Sequence, residues 1–221
     1  THPALCRQQI LLHAAQQFLE GDVLQWWHTT WDGHTGIGAR NKASDIPLWL
    51  PFVALHYVKV SGDDDIWKES LHFIEGKPIP PQAEGIVFVP LRSREKATLY
   101  AHCKLAIDRV LARLGQNGLP LMGTGDWNDG LDAVGHDGIG ESVWLGFFLY
   151  SVLLDFAPLA AAQEGNDASE RLRQSAAQLK QALDQQWREQ RYVRAITDTG
   201  EELIFDDALM SSWPILSGAV D

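Results

Sequence analysis

The chain has 221 residues, of which 45% are hydrophobic and 21% charged, with a formal net charge of −11. These values fit one soluble globular domain, or a large part of one, with enough length to bury a core. The acidic balance argues against nucleic acid or an anionic membrane surface as a partner. Nine Trp residues exceed what a core of this size needs. Because aromatic rings stack on the CH faces of sugars but also fill cores, they favour a carbohydrate site only modestly.

The two cysteines, Cys6 and Cys103, have no metal-ligand or redox spacing. Both are expected to be buried free thiols in a reducing compartment. Residues 1–7 lack the basic and apolar layout of a signal peptide. The longest uncharged apolar run, 142–154, is shorter than the roughly 20 residues that span a membrane, so it predicts a buried helix.

Helical periodicity dominates the chain. It predicts seven helices, at residues 5–19, 46–61, 64–72, 95–114, 141–156, 168–187 and 206–217. Ser93 is the predicted N-cap of the fourth helix, and Asp167 with Glu170 forms a capping box for the sixth. Segments 48–60 and 143–154 are apolar nearly all round, which is typical of buried helices, whereas others are amphipathic. We therefore predict an all-α fold with two layers of helices.

Strand signal is weak, and only 86–89 and 192–196 are predicted as short extended pieces. The connections 21–44, 74–92 and 116–140 are long. Long ordered loops on a helical frame usually build the functional site, so the site is sought there.

The loop from Met122 to Asp132 includes the run Gly-Asp-Trp-Asn-Asp-Gly at 125–130. Three interpretations compete for it. A calcium loop fits poorly, because Gly130 is fifth rather than sixth from Asp126 and the twelfth position is Asp137. A plain turn explains Asn-Asp-Gly, yet it requires neither the adjacent Trp nor a third carboxylate.

The third interpretation is a sugar site, in which Trp127 stacks on a sugar ring, Asn128 hydrogen-bonds sugar hydroxyls and an Asp donates a proton. A general acid must be protonated near neutral pH, and burial beside an apolar ring and other carboxylates would raise its pKa. On these grounds Asp126 and Asp129 are equally eligible.

Two further segments carry candidate residues. Arg40 and Asp45 lie in a Gly-rich stretch ahead of a predicted buried helix, where Asp45 is suited either to a substrate or to capping the helix. Trp27 and His28 follow the first helix and suit either a sugar cleft or a helix end with core aromatics. The histidines within apolar helices are better explained as core residues, and no zinc motif is present.

Several motifs together resemble glycoside hydrolase family 94, which includes cellobiose and chitobiose phosphorylases. They are GLPLMGTGDWNDGL at 118–131, GESVWLG at 140–146, FLEGDVLQWWH at 18–28, SDIPLWLP at 44–51, LYAHCKLAID at 99–108 and SWPILSGA at 212–219. Within the family, the similarity is greatest to the C-terminal phosphorylase-like domain of cyclic β-1,2-glucan synthases. One departure is Ile46-Pro47, where relatives commonly have a second acidic residue.

This resemblance implies an (α/α)6 barrel that cleaves β-glucosidic bonds with inorganic phosphate and inverts the anomeric carbon. Phosphate is already an anionic nucleophile, so a single general acid suffices, whereas inverting hydrolases need two carboxyls. The resemblance assigns the acid to Asp129, and places Trp127 at the donor-sugar subsite and Arg40 and Asp45 on the donor hydroxyls. Substrate contacts are also expected from Asn128, Asp126, Trp27 and His28.

The expected partners are a β-glucan oligosaccharide and phosphate as co-substrate, with no cofactor, no metal and no nucleic acid. A homo-oligomer is compatible with the sequence. A cytoplasmic location is expected, also as the cytoplasmic domain of an inner-membrane protein. Seven helices do not close a ring of twelve, so residues 1–221 are expected to form the N-terminal and central part of a longer domain. The alternatives are phosphorolysis of another β-glucoside, such as cellobiose, and a non-catalytic carbohydrate-binding domain that regulates glucan length.

Overall fold

A computed structural model describes residues 2–30 and 35–220. It is 46% helical and 22% strand, with four small antiparallel sheets. The prediction of an all-α fold is therefore wrong. Most strands were not predicted from the sequence, because several have only two residues and others, such as 91–98, carry charged side chains at mostly exposed positions.

The backbone groups into two compact units, where the sequence predicts one domain. Unit 1 comprises Thr1–Lys42 and Ile46–Arg109, and unit 2 comprises Ala43–Asp45 and Val110–Asp221. The predicted loop 21–44 includes residues 31–34, which lie outside the described residues.

Six α-helices are described. They are α1 (Pro3–Ala14), α2 (Ile46–Ser61), α3 (Leu99–Leu111), α4 (Val143–Glu164), α5 (Asn166–Asp184) and α6 (Ala208–Leu216). The predicted helix 64–72 is instead a 3-10 helix, Asp64–Lys68, followed by a strand. The predicted helix start near Ser93 is also wrong, because that residue lies in a strand that continues to Thr98. The apolar stripe of this helix begins only at Leu99, where the observed helix starts.

Ten strands form the four sheets. They are β1 (Trp26–Thr29), β2 (Thr35–Asn41), β3 (Ser70–Glu75), β4 (Gly85–Phe88), β5 (Leu91–Thr98), β6 (Glu141–Ser142), β7 (Trp187–Arg188), β8 (Arg191–Tyr192), β9 (Ala195–Ile196) and β10 (Glu202–Leu203). Unit 1 contains the sheets β1-β2-β4 and β3-β5, and unit 2 contains β10-β9-β6 and β7-β8. The two extended pieces predicted from sequence correspond to β4 and to β8 with β9.

Unit 1 has a core cluster formed by strands and the segment that follows α1. Phe18, Leu24 and Ile74 form a buried cluster against which Trp27 and Phe88 pack. Helix α2 contributes fully buried side chains, yet Val53 and Val60 on it are exposed, so it is less buried than its composition predicts.

Unit 2 is organised around α4, which is buried along most of its length and packs against α5. Ser142 caps α4, and its hydroxyl accepts the Leu145 amide N–H at 3.0 Å. Gly165, with φ of 100°, ends α4 and starts α5, a conformation that favours glycine. Helix α4 is long and apolar enough to cross a membrane, but a buried core helix passes the same test.

The two cysteines differ in their surroundings. Cys103 is a buried free thiol, as expected, and burial raises its pKa. Cys6 is exposed, so the prediction that both are buried is wrong for this residue. It lies near the start of α1, where Pro3, Ala4 and Leu5 are also exposed.

Candidate functional site

The candidate acid loop in unit 2 begins with an abrupt backbone turn. Gly125 has φ of 126°, in the region that favours glycine, and its backbone N–H donates to the Met122 carbonyl at 3.3 Å. The loop then forms two successive Asx turns, in which Asp126 accepts the Asn128 N–H and Asn128 accepts the Gly130 N–H, each at 3.0 Å. The run at 125–130 is thus a turn, as one interpretation predicted, but with one end anchored in the core.

The anchor is the Asp126 side chain, of which only 1% is exposed. Arg194 binds both carboxylate oxygens, with Nη2 to Oδ1 at 2.6 Å and Nη1 to Oδ2 at 2.7 Å. The Ser142 hydroxyl donates to Oδ2 at 2.5 Å. A bidentate pair of this kind is short and directional, so Asp126 is held in a single orientation. Its predicted contact with substrate stays a prediction.

Beyond the anchor, the tip of the loop is open to solvent. Trp127 is 58% exposed, and Asp129 opens a 3-10 helix, Asp129–Leu131, that Asn128 caps. Among the residues that the structure describes, no donor binds the Asp129 carboxylate, and its side chain is exposed. The burial that the sequence argument expected for the acid is therefore not seen in this chain.

The segment carrying Asp45 pairs with the acid loop inside unit 2. Ala43 forms an antiparallel bridge with Gly123, and the Ser44 backbone N–H donates to the Gly125 carbonyl at 3.0 Å. Asp45 is buried and immediately precedes α2. The structure thus brings this predicted substrate residue and the acid loop into one unit, and its position is equally that of a helix cap.

Arg40 lies on β2 of unit 1, and its guanidinium group is enclosed by protein groups. Asp22 accepts bonds from Nε at 2.6 Å and from Nη2 at 2.8 Å, and the Lys77 carbonyl accepts from Nη1 at 3.1 Å. The group also stacks 3.8 Å from the centre of the Phe18 ring. Burial lowers the pKa of Arg40, but the bonds to Asp22 and the charges of Asp22 and Glu20 outweigh this and raise it.

Trp27 and His28 lie on β1 and have different surroundings. Trp27 packs on the core cluster of unit 1, and its ring lies 5.5 Å from that of His13. His28 is exposed, with its ring 5.7 Å from Trp26. Trp27 therefore fits the core-aromatic alternative. His28 is exposed, and its predicted substrate contact stays a prediction.

No group of three or more His, Cys, Asp or Glu side chains within 2–30 and 35–220 is placed to hold a metal ion. The carboxylates of the acid loop are instead separated, with Asp126 buried and Asp129 exposed. Asp198, in turn, accepts the backbone N–H groups of Asp137, Ile139 and Gly140. Burial raises the pKa of Asp198, but these three bonds and the charge of His136 lower it overall.

Sequence reasoning missed Arg194 and Asp22, the partners of two predicted residues. Arg194 stands between Val193 and Ala195 in a segment predicted to be extended. A charged residue in a short apolar strand must be paired if buried, and that signal could have singled it out. Asp22 gave no comparable signal, because its neighbours are polar or glycine on one side and it lies in a predicted loop.

The protein-family model described as "Glycosyl hydrolase 94 superfamily, catalytic domain" matches residues 1–209 of the chain. The chain is 39% identical to the cyclic beta-(1,2)-glucan synthase NdvB of Rhizobium meliloti, over 99% of this chain and 8% of that protein. It is 28% identical to the solabiose phosphorylase of Paenibacillus borealis, over 91% of this chain and 23% of that protein.

A third relative is the 1,2-beta-oligoglucan phosphorylase of Listeria innocua. The identity is 28%, over 58% of this chain and 11% of that protein. The chain therefore spans less than a quarter of the length of each of these curated relatives.

Proposed function

Because the chain belongs to the glycosyl hydrolase 94 superfamily, we propose that it supplies the general acid for inverting phosphorolysis of β-glucosidic bonds. The substrate class is β-1,2-glucooligosaccharides, and the product is α-glucose 1-phosphate, formed as part of cyclic β-1,2-glucan synthesis. Support for this linkage comes from two relatives whose names specify β-1,2-glucans, one a synthase and one a phosphorylase.

In this reaction the Asp129 carboxyl donates its proton to the glycosidic oxygen as the bond from that oxygen to the anomeric carbon breaks. A phosphate oxygen forms the new bond to the same carbon from the opposite face. The shortened glucan leaves as an alcohol carrying the proton, and Asp129 remains as a carboxylate that solvent or the next phosphate reprotonates. One carboxyl group is sufficient, because phosphate needs no base to activate it.

The contrast between the two candidate acids carries the proposal. Asp126 is buried, and both its oxygens are bound by Arg194, so it has no room to meet a glycosidic oxygen. Asp129 is exposed two residues beyond Trp127, whose side chain is 58% exposed and provides aromatic surface for sugar stacking. Chemistry alone left the two equal, and this difference favours Asp129.

Of the other predicted substrate residues, Asp45, Asn128 and His28 keep their predicted roles within the proposal. Asp45 and Asn128 lie in the same unit as Asp129, whereas Arg40, Trp27 and His28 belong to unit 1. Arg40 is buried and its guanidinium nitrogens bind Asp22 and the Lys77 carbonyl, so its contact with the donor hydroxyls stays a prediction.

The test is to incubate the chain with β-1,2-glucooligosaccharides and phosphate and to measure α-glucose 1-phosphate. We expect Asp129→Asn to lower the rate by about 100-fold to 10,000-fold, the usual contribution of a general acid. Asp132→Asn is the matched control, since Asp132 is an exposed carboxylate of the same loop, and it should retain the rate. Unchanged product formation by Asp129→Asn would rule out the acid assignment.

A leaving group that needs no proton sharpens the test. With a nitrophenyl β-glucoside as donor, the nitrophenolate departs without protonation, so Asp129→Asn should recover most of its rate. Parallel assays with cellobiose test the alternative that another β-glucoside is the substrate. A preference for cellobiose would overturn the substrate class but not the acid.

A non-catalytic carbohydrate-binding role is favoured by one observation, the 58% exposure of Trp127 beside an acid that is not buried. It predicts no α-glucose 1-phosphate from the wild-type chain. Calorimetry should then show oligosaccharide binding that weakens about 2-fold to 10-fold in Trp127→Ala, given the roughly 0.5 to 1.5 kcal/mol that an aromatic contact typically contributes.

A further inference from the structure

The most completely buried charge in unit 2 belongs to Arg194, which is 0% exposed. It lies between β8 and β9 and reaches two carboxylates that are distant from it and from each other in the sequence. The Nη1 and Nη2 atoms bind Asp126, as described above, and Nε binds Asp207 Oδ2 at 2.7 Å. All the side-chain nitrogens of this arginine are therefore engaged by acids.

One side of this cluster fixes the acid loop. Asp126 receives the guanidinium group on both oxygens and uses Oδ1 again to accept the Asn128 backbone N–H. The Asn128 side chain in turn accepts the Gly130 N–H, inside the short 3-10 helix that Asp129 begins. An unbroken series of bonds therefore runs from Arg194 to the turn that presents Asp129.

The other side is attached to a helix end. Asp207 caps α6 by accepting the Leu209 backbone N–H on Oδ1 at 2.8 Å, while its Oδ2 binds Arg194. Ser142 connects the cluster to a second helix, since its hydroxyl donates to Asp126 and accepts the N–H of Leu145 in α4. Arg194 and Asp126 are thus each bonded to a residue that caps a helix, Arg194 to Asp207 at α6 and Asp126 to Ser142 at α4.

The charges show why this position requires arginine. Two carboxylates and one guanidinium are enclosed together, so without the guanidinium the carboxylates would be buried with no countercharge. Burial lowers the pKa of Arg194, but the bonds and charges of Asp126 and Asp207 outweigh it and raise the pKa, so the group remains charged. A lysine would keep the charge but cannot bind both oxygens of Asp126 in a planar fork.

We infer that Arg194 is a positioning residue for the acid: by holding Asp126 it keeps the 127–131 turn, and with it Asp129, in the geometry for proton donation. This inference rests on the proposed function for its effect on rate. The expected effect of Arg194 on the order of the 127–131 turn is independent of that function. Displacements of about 1 Å in a catalytic group commonly lower rates about 100-fold, so the effect should be large.

The experiment compares Arg194→Lys and Arg194→Met with Arg188→Met. Arg188 is the matched control, because it forms a bidentate pair with Glu202 in the same unit but at an exposed position. Hydrogen exchange is measured at the amides of Asn128 and Gly130, and kcat and KM for phosphorolysis are measured with oligosaccharide and with the nitrophenyl glucoside. Arg194→Lys keeps the charge and provides a folded variant in case Arg194→Met unfolds.

We expect exchange at Asn128 and Gly130 to rise at least tenfold in Arg194→Lys and to remain unchanged in Arg188→Met. The kcat on oligosaccharide should fall about 100-fold with KM within a few-fold, and the nitrophenyl glucoside should restore most of the rate, because that substrate does not need the proton. A general loss of folding would lower the rates on both substrates equally.

The inference is overturned if exchange at the two amides is unchanged in Arg194→Lys, or if the rate loss is equal for both substrates. If the wild-type chain releases no α-glucose 1-phosphate, the proposed function has failed. The exchange arm still decides the positioning role in that case: raised exchange upholds it and unchanged exchange rejects it.

Discussion

Each unit buries one arginine in a bidentate pair with an aspartate, and the two sites differ in what else surrounds the guanidinium group. In unit 1, Arg40 pairs with Asp22, stacks on Phe18 and also contacts Glu20, whose side chain is 55% exposed. Arg109 lies 3.7 Å from the Asp22 carboxylate. Asp22 therefore has a second cation nearby. In unit 2, Asp126 and Asp207 share Arg194 as their single described cation partner.

Two arginine–aspartate pairs with similar bond lengths can therefore differ in how much stability is lost when the arginine is removed. Removing Arg40 leaves Asp22 within reach of Arg109, whereas removing Arg194 leaves Asp126 and Asp207 with no cation among their described ion-pair partners. Breaking a buried pair is harmful chiefly because of the charge left behind. The unit 2 site should accordingly be the more sensitive of the two.

The largest effect is expected for Arg194→Met, which should lower the free energy of unfolding by about 3 to 5 kcal/mol, the usual range for an orphaned buried charge. Urea denaturation followed by tryptophan fluorescence measures it. Arg188→Met should change the same quantity by at most about 1 kcal/mol, because its pair is partly exposed. Equal losses for the two variants would contradict the importance of burial here.

The next effect is the change in stability with pH, which depends on histidines in unit 1 and on Asp198 in unit 2. In unit 1, burial lowers the pKa of His102 to about 4, from 6.5, although a bond to the Leu71 carbonyl opposes the shift. A histidine with a lowered pKa is neutral in the fold, so the unfolded chain binds more protons between these values. Stability should fall as pH drops from about 6.5 to about 4, by at most about 3 kcal/mol from this residue.

Denaturation measured across that pH window tests this expectation. His102→Gln should flatten the slope, with part remaining because burial also lowers the pKa of His13. His56 is the control, since it is exposed on α2 of the same unit, and His56→Gln should preserve the slope. A slope that survives in His102→Gln undiminished would exclude His102 as its source.

Arg40→Met should have a smaller effect than Arg194→Met, about 2 kcal/mol, because Arg109 remains near Asp22. Urea denaturation again provides the measurement. The double variant Arg40→Met with Arg109→Met should lose more than the sum of the single variants, since each cation compensates for the other. Strictly additive losses would mean that Arg109 does not take over the pairing.

The smallest effect is expected for Asp198→Asn in unit 2, about 1 kcal/mol. This partly exposed side chain keeps one acceptor oxygen for the Ile139 and Gly140 N–H groups but loses its charge and the bond from the Asp137 N–H. Asp198 has a lowered pKa, so its contribution is present above the ordinary value of 3.8 and is lost as pH falls through the folded value. Unit 2 should therefore respond to acid at lower pH than unit 1. Amide exchange at Ile139 and Gly140, measured against pH, checks the order.

The sequence predicted those elements that depend on local patterns. Helices α2, α4 and α5 follow from apolar or amphipathic periods, and β4 from a run of four apolar residues, because neighbours along the chain determine them. The same logic failed at 91–98, where pairing with β3 outweighs a weak helical pattern. A strand of this kind depends on a partner that the local sequence does not identify.

The candidate site divides in the same way. The Gly-Asp-Trp-Asn-Asp-Gly run can be recognised from the sequence as a turn, but the difference in burial between Asp126 and Asp129 cannot. That difference comes from Arg194, which is 68 residues from Asp126 in the sequence. No local period encodes such a pair, and only the fold brings its members together.

The acid loop separates an anchor from a tip, and that division has a consequence for protein engineering. The anchor is Asp126, with Arg194, Ser142 and Asp207 behind it, whereas the tip at 127–131 is mostly exposed. Combinatorial libraries can therefore randomise Trp127, which makes none of the bonds that link Asp126 to the Asp129 turn, while the anchor and Asn128 stay constant. Tip variants should mostly remain foldable, whereas a library that includes position 126 would fill with unfolded members.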